Sequence, residues 1–399
     1  MSEPVTLDAV RAAPNALAAH YSRFRVADRL LLTGHSHQAW PDVAVDGVLE
    51  AYADAAELVD GKWERAFAVA DRLRAGLRGL LGDPTGEIAL GANTHELLLR
   101  FLSAIDLPAR PRLVTTDGEF HTVRRQLARL GEAGVDVVAV AAEPACSVAE
   151  RLAAEVDDRT AAVLVSSVQF RTARIVPGLA DLAAACAAGE VELFVDAYHA
   201  LGVVPVGLVA DGLTDAWVTG GGYKYLQLGE GNCFLRLPPH AADLRPVVTG
   251  WFAEFDRLST RAEGEVGYPA GPARFAGSTY DPTSHYRAAR VFGFFAEYGL
   301  DATLLRAISQ HQTGVLAEAF DALDLPASLV TRDRDTPRTQ FGGFLTLTSP
   351  AAERLRVALA ERGVSTDSRG DSLRFGPAPY LCDDQLLAAM DALKQVATR

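Results

Sequence analysis

Apolar residues at positions 45, 48, 49, 52, 56 and 59 recur at the i, i+3, i+4, i+7 spacing of an amphipathic helix, which predicts a helix from Val45 to Val59 with Asp42 as its cap. Further along, short β-branched runs take over: "RLVTT", "VDVVAVA", "TAAVLVSSV", "VELFVDAYH", "AWVTGGG" and "NCFLRLP". They alternate with Ala/Leu/Arg-rich helical stretches. Strands this uniformly apolar are expected to be buried on both faces, so the alternation predicts βαβ units around a mainly parallel sheet in an α/β fold.

After Pro282 the pattern changes to a long helix around Arg287 to Tyr298, further helices, and isolated strands such as "GGFLTLT" and "SLRFGPAP". A last helix places Leu386, Met390 and Leu393 on one face. These features predict an N-terminal segment (1–40) packing on a small C-terminal α+β domain (284–399), with a large α/β domain (41–283) between them in sequence. No repeat or low-complexity linker interrupts the chain.

Composition narrows the function. The chain has 399 residues, 49% hydrophobic and 22% charged, as expected of a globular protein with an extensive core. Lys plus Arg number 38 against 51 acidic residues, a balance of 38 − 51 = −13, which argues against a nucleic-acid partner. Four scattered cysteines, Cys146, Cys186, Cys233 and Cys382, include no CxxC pair, so a reducing compartment is expected and a metal site is not. The N-terminus shows no basic segment followed by an apolar run, and no run approaches a membrane span. A cytoplasmic protein without a membrane partner is the expectation.

The chemistry concentrates around "TGGGYKYLQLGEG". Lys224 lies there between two tyrosines in a glycine-rich turn ahead of the strand-like run Cys233 to Leu237. Upstream, "LFVDAYHALG" ends an apolar strand at Asp196 and places His199 three residues on. In an open parallel sheet ligands sit beyond the carboxyl ends of strands, where this aspartate and the Lys224 loop both emerge. A salt bridge is the ordinary reason for such a pair. A pyridoxal phosphate site is the other: the lysine amine forms a Schiff base, and the aspartate keeps the pyridine nitrogen protonated so that the ring withdraws electrons. No Walker sequence or well-placed dinucleotide fingerprint supports a nucleotide site.

The series "DAYHALG", "GGGYKYLQLGEG", "VTGWF", "ARFAGSTYDP" and "RGVSTDSRGDSLRFGPAPY", in that order, resembles kynureninase, of the class V aminotransferase group of fold-type I pyridoxal phosphate enzymes. The resemblance is best from about residue 160 onward. It implies a large domain with a mainly parallel seven-stranded sheet and a smaller α+β domain. It also implies that Lys224 carries the cofactor, that Asp196 pairs with the pyridine nitrogen, and that His199 helps to hold Asp196 and the ring. Tyr223 would reach the phosphate and serve in proton transfer. Asn93 and Thr94, ahead of the helical run in "ALGANTHELLLRFL", match a phosphate-binding turn, although an Asn/Thr helix cap has the same signature. Phe120 matches the aromatic that stacks on the pyridine ring. Trp251 and Thr279 match residues that reach the phosphate of the neighbouring subunit, which implies a homodimer with shared sites. Arg374 matches the arginine that grips an α-carboxylate, a two-pronged task for a guanidinium, and Ser36 retains its identity in the substrate-side N-terminal motif.

The departures are specific. "LTGHSHQAWP" stands where kynureninases carry a "DGNSLG" type of sequence. His121, Thr122 and Val123 replace a proline and a nearby aspartate after Phe120, and no histidine lies between Trp40 and His95. The resemblance thus implies a hydrolase that cleaves the Cβ–Cγ bond of an L-kynurenine-type γ-oxo amino acid and releases alanine, with a pocket beyond the γ-carbon unlike that of a standard kynureninase. Two alternatives stay open: another class V lyase, desulfurase-like enzyme or aminotransferase, and a non-catalytic protein that binds the cofactor.

Overall fold

The computed structural model describes residues 4–260, 264 and 266–398. In chain order, a short helix α1 (Leu7–Arg11) and 3₁₀ turns lead to β1 (Leu30–Leu31), then to two long helices, α2 (Val43–Leu58) and α3 (Lys62–Leu80). Seven strands follow: β2 (Glu87–Gly91), β3 (Arg112–Thr116), β4 (Asp136–Val140), β5 (Thr160–Ser166), β6 (Glu192–Asp196), β7 (Trp217–Gly220) and β8 (Cys233–Leu237). Helices α4 (Thr94–Leu102), α5 (His121–Glu132), α6 (Val148–Ala154) and α7 (Leu179–Ala188) fill the crossovers from β2 to β6. The chain closes with α8 (Thr283–Glu297), α9 (Ala302–Ala322), β9 (Leu345–Thr348), α10 (Ala352–Ala360), β10 (Val364–Ser365), β11 (Asp367–Arg369), β12 (Ser372–Phe375) and α11 (Asp383–Ala397).

The seven strands form one sheet in the order β2-β8-β7-β6-β5-β3-β4. Strands β3 to β7 run parallel, and β8 is antiparallel to both β7 and the edge strand β2. Every residue of β5, β7 and β8 is buried, as uniformly apolar strands between two helical layers require. The order reverses between β3 and β5, because the chain leaves β3 toward β4 and leaves β5 toward β6. A crevice opens at such a reversal, beyond the carboxyl ends of the strands. Those ends carry Thr116 on β3, Ser166 on β5, Asp196 on β6 and Gly220 on β7.

β11, β12 and β9 form a separate antiparallel sheet. α10 packs on β11 and β12, and α9 on β9. The N-terminal segment joins this region: β1 pairs in parallel with β10, and α1 packs on α9. In α11, Leu386, Met390 and Leu393 are all buried, as their shared face predicts.

Three sequence expectations need correction. "EIALG", not anticipated as a strand, is the edge strand β2. The helix predicted over 45–59 is present, yet Val48, Leu49, Tyr52 and Val59 on its apolar stripe are exposed. α2 instead buries Ala44 and Gly47 against α8, where a Cβ on Gly47 would come within 2.6 Å of the Tyr286 carbonyl oxygen. Finally, the Asp42 side chain does not cap α2. Its carboxylate accepts from the Ser22 backbone N–H at 2.9 Å and the Arg23 N–H at 3.1 Å, tying the N-terminal segment to the start of α2.

Candidate active site

β6 delivers Asp196 to the crevice, and the turn after β7 brings Lys224 back toward it. Close packing explains the glycines of that turn. A Cβ on Gly222 would lie 2.1 Å from Asn232 Oδ1, and one on Gly221 would lie 2.3 Å from the Tyr198 hydroxyl. Asp196, Lys224, Tyr198, His199, Tyr223, Phe120, Asn93 and Thr94 all line one cavity of about 290 Å³.

Lys224 is 5% exposed, and its Nζ lies 2.7 Å from His199 Nε2. Nζ also sits 4.5 Å from the centre of the Tyr198 ring and 5.1 Å from that of Phe120. Burial pulls the amine down to about 7, only partly opposed by Asp196. Asp196 moves the other way: burial raises its pKa against the Tyr198 N–H, which it accepts at 2.9 Å, and against Lys224. Among the described residues no ion pair joins the two, so the salt bridge that would make them merely structural is not formed. The chain contains three lysines, Lys62, Lys224 and Lys394, and Lys224 alone is buried.

His199, expected to hold Asp196, instead turns its ring to Lys224. Its Nδ1 is buried without a partner, and burial, reinforced by Lys224, His35 and Arg374, keeps the imidazole neutral. Tyr223 stacks on His37, with centroids 4.8 Å apart and planes 22° apart. Burial pushes its phenol up to about 12, so it stays protonated and able to donate. Asn93 is the N-cap of α4 and accepts from the Glu96 N–H at 2.9 Å, while the Thr94 hydroxyl lies 3.9 Å from Cys233 Sγ. The helix cap is thus real, and it stands in the cavity wall with Ala92, Thr94 and His95, so the start of α4 borders the ligand space.

The other expected residues lie outside this cavity. Ser36 is not among its lining residues and meets His37 Nδ1 at 3.2 Å. Trp251 Nε1 donates to Thr279 Oγ1 at 3.2 Å, and Thr279 lines a second cavity of about 740 Å³ that shares Ala92, Glu230 and Gly231 with the first. Arg374 is buried behind the cavity wall and donates to the carbonyl oxygen of Phe170, a lining residue. Its second partner is the Asp367 carboxylate.

Sequence reasoning missed three groups here. Asp367 is one, and its signal was available: β11 and β12 form a hairpin in which Asp367 stands opposite Arg374. His35, fully buried 3.6 Å from Asp367, is the second. Glu119 is the third. It accepts from Thr116 Oγ1 at 2.7 Å and Ser166 Oγ at 2.5 Å, and burial raises it to about 7. It sits immediately before Phe120 in "GEFHT", where it reads as a surface residue.

No protein-family model matches the chain, and no curated protein matches it significantly. Solved structures do. A mutant of C-DES with glycine covalently linked to its PLP cofactor superimposes with a TM-score of 0.81 at 16% identity, covering 94% of this chain and 98% of that one. A complex of the cystine C-S lyase C-DES with its product cysteine persulfide gives 0.80 at 18% identity, covering 92% and 98%. The apo cysteine desulfurase of Thermococcus onnurineus NA1 gives 0.79 at 14% identity, covering 96% and 98%. Across nearly the whole chain, the fold is that of the fold-type I, class V aminotransferase group, as the sequence motifs imply. Among the described residues no helix is long and apolar enough to cross a membrane.

Proposed function

We propose that this protein is a pyridoxal phosphate-dependent enzyme that cleaves a bond at the β-carbon of an L-amino acid. What carries this reading is the placement of Lys224 and Asp196 on one cavity, both buried, both shifted toward neutrality, and unpaired with each other among the described residues. Two opposite charges left apart in a dry site are costly unless a third group completes both. The residues present fit pyridoxal phosphate: a lysine for its aldehyde, a carboxylate for its ring nitrogen, Phe120 for a ring face, and Thr94 with the α4 N-terminus for its phosphate. When bound, that cofactor supplies a sink for negative charge developing at the substrate α-carbon. Asp196 keeps the ring nitrogen protonated. Lys224, with a pKa near neutrality, holds or releases a proton at Nζ and so suits the role of base at the α-carbon. Phe120 and Tyr198 exclude water from around the amine.

The solved neighbours favour a C–S bond as the target, since they include a cystine C-S lyase and a cysteine desulfurase. The cysteine placement fits direct release of the sulfur product better than relay through a protein thiol. Cys233, which lines the cavity, is buried beside Tyr198, with its thiol pushed up by burial; Cys146, the exposed cysteine, lines neither cavity. Kynureninase-type hydrolysis is the second reading, supported by the "DAYHALG" and "SLRFGPAPY" motifs and by the position of Arg374 behind the cavity wall.

Purified protein with added cofactor is expected to be yellow, and borohydride to fix the label on Lys224. A label on Lys62 or Lys394, or no visible absorption, sinks the cofactor assignment. Sulfide or persulfide release from L-cysteine and L-cystine, set against aromatic amine release from L-kynurenine and keto-acid formation from a panel of L-amino acids, then separates the two readings.

We further propose a homodimer whose sites are completed across the interface. Trp251 and Thr279 are joined to each other away from Lys224, and Leu49 and Tyr52 leave an apolar stripe of α2 uncovered. Mixing inactive Lys224→Ala and Trp251→Ala chains is expected to restore about a quarter of native activity, since half of randomly mixed dimers carry one complete site. A fully active monomer in sedimentation would contradict this.

A further inference from the structure

Resting on the amino-acid reading above, we infer that Asp367 is a positioning residue: it fixes the plane of the Arg374 guanidinium so that a pair of its N–H donors stays free for an α-carboxylate. The hairpin builds this contact locally. Asp367 on β11 faces Arg374 on β12 in register, and the two-residue turn between the strands uses Gly370 at φ 59°, a left-handed conformation that glycine adopts without strain. Arg374 is 3% exposed, so its charge has left water and needs a fixed partner before any substrate arrives.

Counting donors separates positioning from competition. A guanidinium has five N–H groups. Nη2 gives one to Asp367 Oδ2, Nη1 gives one to the Phe170 carbonyl, and Nε has no partner. Three hydrogens therefore remain, one on Nε and one on each η nitrogen, enough donors for the fork that a carboxylate accepts with both oxygens. Asp367 does not occupy that fork. It uses a single oxygen on a single nitrogen, while its Oδ1 accepts from Arg369 Nη1 at 3.0 Å. His35 Nε2 approaches the same Oδ2 that Arg374 uses, to 3.6 Å, and is itself wedged in place: a Cβ on Gly376 would lie 2.2 Å from His35 Nδ1, and the Phe344 ring is 4.7 Å from the imidazole. His35 from the N-terminal segment, the β11–β12 hairpin and Phe170 after β5 thus hold the arginine from three parts of the chain. Such preorganisation spares the substrate the ordering of a long side chain.

The test uses the full, cofactor-loaded chain and follows its visible spectrum during titration with L-alanine, which has the carboxylate, and with L-alaninamide, which lacks it. Asp367→Ala is expected to weaken L-alanine on the order of tenfold, the scale of one charge-assisted contact, and to leave L-alaninamide within about twofold. Asp367→Asn, which keeps an acceptor oxygen in the hairpin and serves as the folded control, is expected to lose less than the alanine variant. Tighter L-alanine binding in either variant would make Asp367 a competitor for the arginine, and an equal loss for both ligands would reduce it to a structural residue. Either result overturns the inference. A native chain whose spectrum answers neither ligand instead refutes the amino-acid reading, and the inference with it.

Discussion

Lys224→Met is expected to make the cofactor-free chain more stable at neutral pH while abolishing the borohydride-fixed cofactor. Burial holds the native amine at about 7 against the ordinary lysine value of 10.5. A shift of that size corresponds to about 5 kcal/mol of destabilisation up to about pH 7, where the folded amine begins to lose its proton. The variant leaves His199 Nε2 without its 2.7 Å partner, a loss of about 1–3 kcal/mol for a buried polar group, so a net gain of about 2–4 kcal/mol remains. The sign with pH is fixed. Because the folded pKa lies below the unfolded one, the native chain binds fewer protons than its unfolded form between about pH 7 and 10.5 and gains stability as pH rises through that window. The advantage of the variant is therefore full below about pH 7 and closes toward pH 10.5. Denaturant midpoints of both cofactor-free chains at low and high pH measure it. A variant that is less stable throughout, or a gap that ignores pH, would show that Lys224 is not buried as a strained amine.

The scarcity of lysine points the same way. Of 38 basic residues three are lysines, which leaves 38 − 3 = 35 arginines. A chain that meets almost every need for positive charge with guanidinium places a buried amine on this cavity, where only an amine can lose its proton near neutrality. That signal was present in the sequence and marks Lys224 more sharply than the flanking glycines do.

The sheet was legible because β3 to β8 carry mostly apolar, β-branched runs, and in β5, β7 and β8 every residue is buried. β2 was not, since "EIALG" is short, half exposed at the sheet edge, and directly followed by the Asn93 cap. The α2 pattern gave the helix but not its covering, because periodicity says which face is apolar and nothing about what lies against it. Gly47 decided the packing by letting α8 approach closely. At the site, residues close in sequence to a strand end were legible, and orientations were not. His199 was expected to hold Asp196 and the cofactor ring, and in the structure its ring nitrogen meets Lys224. Asp367 and Glu119 were missed because a charged residue in a polar stretch reads as a solvated face, whereas the hairpin register sets Asp367, half-buried, against Arg374, and the end of β3 buries Glu119.

Asp196 is expected to matter for turnover far more than for holding the cofactor. Its register partner on β5 is Ser166, itself a cavity-lining residue, and its own backbone is fixed by the β6–β7 pairing to Thr219. The carboxylate is therefore held by the sheet rather than by a loop, as a group aimed at one ring atom requires. It carries its charge against a cost: burial raises its pKa and the Glu119 carboxyl is near enough to interact with it unfavourably, so a cationic partner in the cavity would relieve it. Asp196→Asn keeps the shape and removes that charge. The variant would no longer hold a proton on the ring nitrogen of a bound cofactor, and the electron withdrawal that the cofactor would supply would weaken. Removing one preorganised electrostatic partner of this kind costs on the order of 10²–10³ in kcat. The phosphate contacts proposed at Thr94 and α4 and the proposed link to Lys224 would be untouched, so the visible band of the bound cofactor should persist and its affinity change little. Turnover close to native would remove Asp196 from this role, and a chain that turns over normally once saturated with cofactor would make Asp196 an anchor for the cofactor instead.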